Sequence, residues 1–136
     1  MEVKFVRYEE QYKDDVIKLI NKSFESHNIT DISDAFNVVG LVGLFAGKVV
    51  SYLNITFCVD VIKNSKYAMI NHVFVDEEYR GNDIGKDMMV AAIDMCRFNN
   101  CNLITLTSKP SKIVANEMYK SMGFAIKETN YYEKVI

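Results

Sequence analysis

The chain has 136 residues, 49% of them hydrophobic and 25% charged, the proportions of an ordinary water-soluble globular domain. No run of about 18 consecutive apolar residues occurs, which excludes a transmembrane helix. A net charge of -2 argues against a nucleic-acid binder, which carries a concentrated basic face. The length suits a single domain over residues 1–136 with one core. Met1-Glu2-Val3-Lys4-Phe5 lacks the basic-then-apolar layout of a signal peptide. Cys58, Cys96 and Cys101 are odd in number and have no metal-ligand spacing, which fits a reducing cytoplasm and points to no metal site.

In chain order, Val3 to Tyr8 reads as a first strand. From Tyr12 the apolar positions shift to helical spacing, with Val16, Leu19, Ile20 and Phe24 on one face and Asp14 and Asp15 in the first turns. Ser26 to Asn37 is polar and irregular, with room for a short helix over Ser33 to Val38. Val38 to Phe45 and Val49 to Val59 form a predicted hairpin turning at Gly47. After a turn at Asn64-Ser65-Lys66, Tyr67 to Val75 reads as a central strand, apolar on both faces. Strict alternation there places Met69, Asn71, Val73 and Val75 on one face and Ala68, Ile70, His72 and Phe74 on the other. His72 then reads as a core or interface histidine rather than as a base.

Asp76 to Asp83 is a polar loop, and Ile84 to Phe98 is an amphipathic helix. Leu103 to Thr107 is a strand, Ser111 to Met122 a helix stopped by Gly123, and Phe124 to Lys127 and Tyr131 to Val135 two closing strands. The order predicts an α/β (α+β mixed) fold, a mixed sheet covered on both faces by helices.

The chemistry concentrates in Val73-Phe74-Val75-Asp76-Glu77-Glu78-Tyr79-Arg80-Gly81-Asn82-Asp83-Ile84-Gly85-Lys86. A buried strand feeds a loop that opens directly into a helix, so the unpaired N–H groups of the first helical turn point into the loop. With glycines that let a ligand approach, and with Arg80 and Lys86 at the rim, this is a cradle suited to a pyrophosphate. The same residues also read as a tight connection with a solvated arginine.

This run resembles the acetyl-CoA-binding motif of the GNAT superfamily of N-acetyltransferases, Arg/Gln-x-x-Gly-x-Gly/Ala. Arg80, Gly81, Asn82, Ile84, Gly85 and Lys86 fit it, and Asp83 stands where the middle glycine is usual. Ala115-Asn116-Glu117-Met118-Tyr119-Lys120-Ser121-Met122-Gly123-Phe124 is similar to the family's second signature, Ala-x-x-x-Tyr-x-x-x-Gly-Phe. The motif-bearing likeness covers Tyr67 to Phe124.

The resemblance implies a sheet of six to seven strands with about four helices and a splayed strand pair for acetyl-CoA. It implies main-chain contacts from Val73 and Val75 to the pantetheine arm, an N–H near Phe74 polarising the thioester carbonyl, and the pyrophosphate on Arg80, Gly81, Asn82, Asp83, Ile84, Gly85 and Lys86. Tyr119 would stabilise or protonate the leaving thiolate, and Asn116 would touch the cofactor. Both also read as ordinary helix residues.

Where relatives carry Glu or His on the strand before the loop, this chain has Met69 and Asn71, of which only Asn71 can orient a water or the acceptor. Glu25 and His27, with Asp31 and Asp34, fall in the region that borders the acceptor in the family, and Tyr131 and Tyr132 are further candidates. The implied function is N-acetyl transfer from acetyl-CoA to a small primary amine by direct attack, in a cytoplasmic monomer or homodimer without nucleic-acid or membrane partners. A non-catalytic acyl-CoA-binding or regulatory module on the same fold is the alternative.

Overall fold

A computed structural model of the protein describes residues 1–23, 28–32 and 35–136. Two compact units are present, Met1–Leu106 and Thr107–Ile136.

The first unit is built on one five-stranded sheet in sequence order: β1 (Lys4–Arg7), β2 (Val38–Phe45), β3 (Lys48–Asp60), β4 (Ser65–Val75) and β5 (Cys101–Thr105). β1 to β4 pair antiparallel, and β5 returns parallel to β4. The β2–β3 turn is Ala46-Gly47, both at positive φ, the backbone that a two-residue hairpin requires. At the β3–β4 turn, Asp60 accepts the N–H groups of Ile62 and Lys63, and Asn64 takes the left-handed conformation.

Helix α1 (Lys13–Ser23) buries Val16, Leu19 and Ile20. They pack with Val42, Val49, Tyr52 and Phe74 as one core cluster. Helix α2 (Ile84–Phe98) carries the chain from β4 to β5 and buries Ile84, Met88, Met89, Ala92 and Cys96. Strand residues that alternate with the α1 cluster, among them Leu41, Leu53, Ile55 and Ile70, are buried as well. The sheet is therefore covered on both faces, and no described helix is long and apolar enough to cross a membrane. Burial pushes the Cys96 thiol up to about 11, assisted by Cys101, so it behaves as a core side chain.

The second unit holds α3 (Ile113–Ser121). Its end is a Schellman motif: Gly123, at φ 92°, donates to the Lys120 carbonyl and Phe124 to the Tyr119 carbonyl. The Tyr119 and Phe124 rings meet edge to face, 5.9 Å between centroids, supplying the apolar contact that accompanies this stop.

The mixed α/β class is as expected, with five strands and three α-helices among the described residues in place of six to seven and about four. Phe124–Lys127 and Tyr131–Val135 are not strands, and residues 125–136 are exposed throughout. Their alternation lacks the second half of a strand's definition, a hydrogen-bonded neighbour. The proposed helix over Ser33 to Val38 lies partly outside the described residues, and Val38 itself opens β2.

Candidate functional site

β4 changes character along its length. Its N-terminal part pairs on both sides, with β3 and, through Lys66, Ala68 and Met69, with β5. Met69 with Thr105 is the last parallel pair, and among the described strands β4 runs on through Ile70–Val75 paired with β3 alone. β5 ends at that pair. Asp76 donates its N–H to the Val50 carbonyl, 2.8 Å. Counting back by the two-residue period, the main-chain groups of Phe74 face β3, while those of Val75 and Val73 face the open side. The N–H available near Phe74 is therefore that of its neighbour Val75.

A β-bulge sits in this open stretch. Tyr52 opposes Phe74 and Asn54 opposes Asn71, so His72 and Val73 together stand opposite Leu53. His72 is the residue that absorbs the extra length, at φ 56°. That conformation is usual for glycine and costs a side-chain-bearing residue about 1 kcal/mol or more. The bulge overturns the strict alternation expected from sequence. Directly opposed residues share a face, so Asn71 lies on the same face as Phe74, with Tyr52, Asn54, Thr56 and Met69. His72 is exposed rather than part of the core, its ring stacked beside that of Phe74 at 6.2 Å and 11°.

Asn71 is half-buried and Met69 is 39% exposed, so this end of the face is open beyond the α1 cluster. Tyr52 is buried, and burial raises its pKa. Tyr8 crosses Tyr52 edge to face at 6.1 Å, directly above Gly40, where a Cβ would come within 2.5 Å of Tyr8. Only glycine lets the two rings meet there.

The loop after β4 is organised by Asp76, which sequence reasoning did not single out. Its side chain is 5% exposed, takes Lys22 Nζ from the last turn of α1 at 3.0 Å, and accepts the Glu78 N–H. Burial pushes this carboxyl up, but Lys22, the Glu78 N–H and Lys48 outweigh it and hold it below the usual carboxylate range. An aspartate directly after a strand and before a short 3-10 turn (Glu77–Tyr79) was the available signal.

Beyond that turn, Asn82 donates to the Tyr79 and Arg80 carbonyls, Gly81 stands at φ 83° with nothing within 4 Å of a Cβ position, and Arg80 and Lys86 are exposed. Asp83 adopts the left-handed conformation, φ 58°, and makes no side-chain cap bond. Its carbonyl accepts the Asp87 N–H, the first bond of α2. The N–H groups of Ile84, Gly85 and Lys86 precede that bond and have no intrahelical partner. Ile84 is buried and anchors the turn.

In the second unit, Tyr119 is buried and its pKa is raised by that burial, which keeps the phenol protonated. Asn116 donates from Nδ2 to the Lys109 carbonyl, 2.9 Å, tying the first turn of α3 to the preceding loop. Of the acceptor-side candidates, Glu25, His27 and Asp34 lie outside the described residues. Asp31 is paired with Lys13, which together with the Ile32 N–H holds its carboxyl below the ordinary range and makes it a weak base. Tyr131 and Tyr132 are exposed at 74% and 84%. Among the described residues no group of three or more His, Cys, Asp or Glu could hold a metal ion.

Comparison with known structures returns the same architecture. The chain superposes on a putative acetyltransferase from Agrobacterium tumefaciens with a TM-score of 0.86, at 17% identity over 97% of this chain and 99% of that one. For an aminoglycoside acetyltransferase from an uncultured soil metagenomic sample, the TM-score is 0.85 at 19% identity, covering 98% and 96%. For a ribosomal-protein-alanine N-acetyltransferase from Brucella melitensis it is 0.85 at 12% identity, covering 98% and 99%. The family model for GNAT acetyltransferases matches residues 6–124, from β1 through both signature motifs. The chain belongs to the acetyltransferase (GNAT) family.

Proposed function

We propose that this acetyltransferase uses acetyl-CoA as donor and acetylates a primary amine of a small molecule by direct attack. The observation that carries the reading is the end of β4–β5 pairing at Met69, on the strand that leads into the Arg80–Lys86 loop. An extended pantetheine arm can complete the vacant edge of β4 at Val73 and Val75, as an added strand would. The residues present fit such a donor. The N–H groups at the start of α2 and the side chains of Arg80 and Lys86 suit a pyrophosphate, and the open space around Gly81 admits it. Asn82 shapes the loop from within, and Asp83 supplies the left-handed turn that lets α2 begin.

When bound, acetyl-CoA supplies the activated acetyl group. The Val75 N–H, aimed to the open side, is the donor for the thioester oxygen. By the likeness of its motif Tyr119 is assigned to the leaving thiolate; burial raises its pKa, and its carbonyl is committed to ending α3. Asn71 is assigned to orienting the acceptor or a water, Asn116 to the cofactor, and Glu25 and His27 to the acceptor. Aminoglycoside acetyltransferases among the structural neighbours support a small polar amine as acceptor.

The experiment is a thermal melt with and without acetyl-CoA, using adenosine nucleotides as controls, followed by thiol release with a panel of primary amines. Donor at about 100 times its dissociation constant stabilises by roughly 2.7 kcal/mol, a shift of a few degrees in a domain of this size. Stabilisation by acetyl-CoA but not by the nucleotides, with amine-dependent thiol release, is the expected result. No shift at millimolar donor overturns the reading.

A further inference from the structure

We propose that Lys22, in the last turn of α1, is a positioning residue for the donor: through Asp76 it fixes the spacing between the two parts of the protein that acetyl-CoA must touch at once. The inference rests on the acetyl-CoA reading and names a residue that lies in neither motif.

Those two parts are the edge of β4 at Val73 and Val75 and the loop from Arg80 to Lys86. Only Asp76 to Tyr79 separate them, and the short 3-10 turn Glu77–Tyr79 lies among these residues. Asp76 is the joint. Its N–H donates to the Val50 carbonyl at 2.8 Å, and its own carbonyl accepts the Tyr79 N–H at 2.9 Å. A single carboxylate oxygen, Oδ1, accepts both Lys22 Nζ at 3.0 Å and the Glu78 N–H at 3.1 Å. Lys22 Nζ also lies 3.7 Å from Glu78 Oε1, so one ammonium spans the start and the middle of the turn.

The end of the turn is held from elsewhere. The Tyr79 ring meets Phe45 edge to face at 5.8 Å, and Lys48 Nζ stands 5.3 Å from its centroid. Past Tyr79 the chain is exposed from Arg80 to Asp83. The gripped half of the connection therefore aims the free half.

A lysine in the last turn of a helix is favoured by the dipole alone, but this one reaches a partner 54 positions away. The helix that carries it is anchored, because Val16, Leu19 and Ile20 pack with Val42, Tyr52 and Phe74. An exposed ion pair would contribute little. Here the Asp76 side chain is 5% exposed and shares its bonded oxygen with a backbone N–H, which makes the contact directional.

A ligand that occupies two sites at once gains affinity only while their spacing matches its own. A turn ordered in advance removes that ordering from the cost of binding. Without Lys22 each part can still bind, and what falls is the added affinity of binding both. A pure charge effect predicts a different pattern. The donor is anionic, so the field alone would make Lys22 helpful and Asp76 harmful. The link makes both helpful.

The test titrates acetyl-CoA calorimetrically into wild type, Lys22→Met, Asp76→Asn and the double variant at one ionic strength. Asn at position 76 keeps an acceptor for the Glu78 N–H and gives up the charge. The double variant leaves no buried charge unpaired, which covers the case in which Lys22→Met folds poorly. Each single variant should bind about tenfold more weakly, the contribution of one charge-assisted hydrogen bond discounted for the exposure of Lys22. The double variant should be no more than about twofold weaker than either single. Turnover of S-acetylpantetheine, a donor without the pyrophosphate, should change by less than about twofold in all three, because it engages the β4 edge alone. Tighter binding by Asp76→Asn, wild-type binding by Lys22→Met or by the double variant, losses that multiply in the double variant, or an equal loss with the short donor each overturn the assignment and leave the acetyl-CoA reading standing. A wild type that binds no acetyl-CoA overturns that reading first, and this one with it.

Discussion

The two halves of β4 have the same kind of sequence and opposite fates. From Ser65 to Met69 the strand is bonded on both edges, and its role is to hold the sheet together. From Ile70 to Val75 it keeps one neighbour among the described strands and gains an extra residue. A strand interior and a free edge thus differ by what lies beside them rather than by composition. The partner lost at Thr105 is what separates scaffold backbone from the edge proposed for the donor.

Proline gives the sharpest way to break that comparison, because it deletes one N–H. Ala68→Pro removes a donor where β4 has partners on both sides, in a position with no exposed surface. It should cost more than about 3 kcal/mol and leave little folded protein on a urea titration. Val75→Pro removes an N–H that faces the open side, so it should cost about 1 kcal/mol or less yet abolish the melting shift with acetyl-CoA. Equal damage from the two substitutions would mean that the halves are not functionally distinct.

A smaller effect is expected where the free half ends. Asp76→Ala strips the acceptor from Lys22 and from the Glu78 N–H, and should lower stability by about 2 kcal/mol. The pH dependence has a definite sign. Because the folded carboxyl sits below its ordinary value, its contribution is complete above the unfolded pKa of about 3.9 and disappears as pH falls through the folded value. The gap between wild type and Asp76→Asn should therefore close in acid, as denaturation curves across pH 2 to 6 would reveal. The smallest change is Asp83→Gly. It forfeits no cap bond and relieves a left-handed side-chain residue, so it should add up to about 1 kcal/mol and tighten acetyl-CoA binding, read by calorimetry.

Much of this was legible in the residues. Helix α2 begins and ends at Ile84 and Phe98 as its periodicity and loop predict, and the Ala46-Gly47 hairpin follows from a local turn preference. Both are written within a few residues of where they act. The bulge was not legible, because an inserted residue leaves no mark on an alternating pattern unless a glycine reveals it. Here a histidine holds the glycine-like position, so counting by twos put Asn71 and Phe74 on opposite faces. The Lys22–Asp76 pair joins residues 54 positions apart, and no local rule announces such a meeting. The closing strands failed for a related reason: residues 125–136 have the pattern of strands without a described ladder to join. In Tyr119-x-x-x-Gly123-Phe124, the spacing is also that of a helix stop, so one string records both a termination and a candidate catalytic group.

The bulge has a genetic consequence. Removing His72 by an in-frame codon deletion would bring Val73 opposite Leu53 and leave Asn71 with Asn54 and Phe74 with Tyr52, each on its present face. The result is a more regular ladder, made of one residue fewer, and a protein that drift under selection for folding alone would find readily. Loss of this single codon is expected to relieve the left-handed backbone at φ 56° and shorten the strand without moving another side chain to the opposite face.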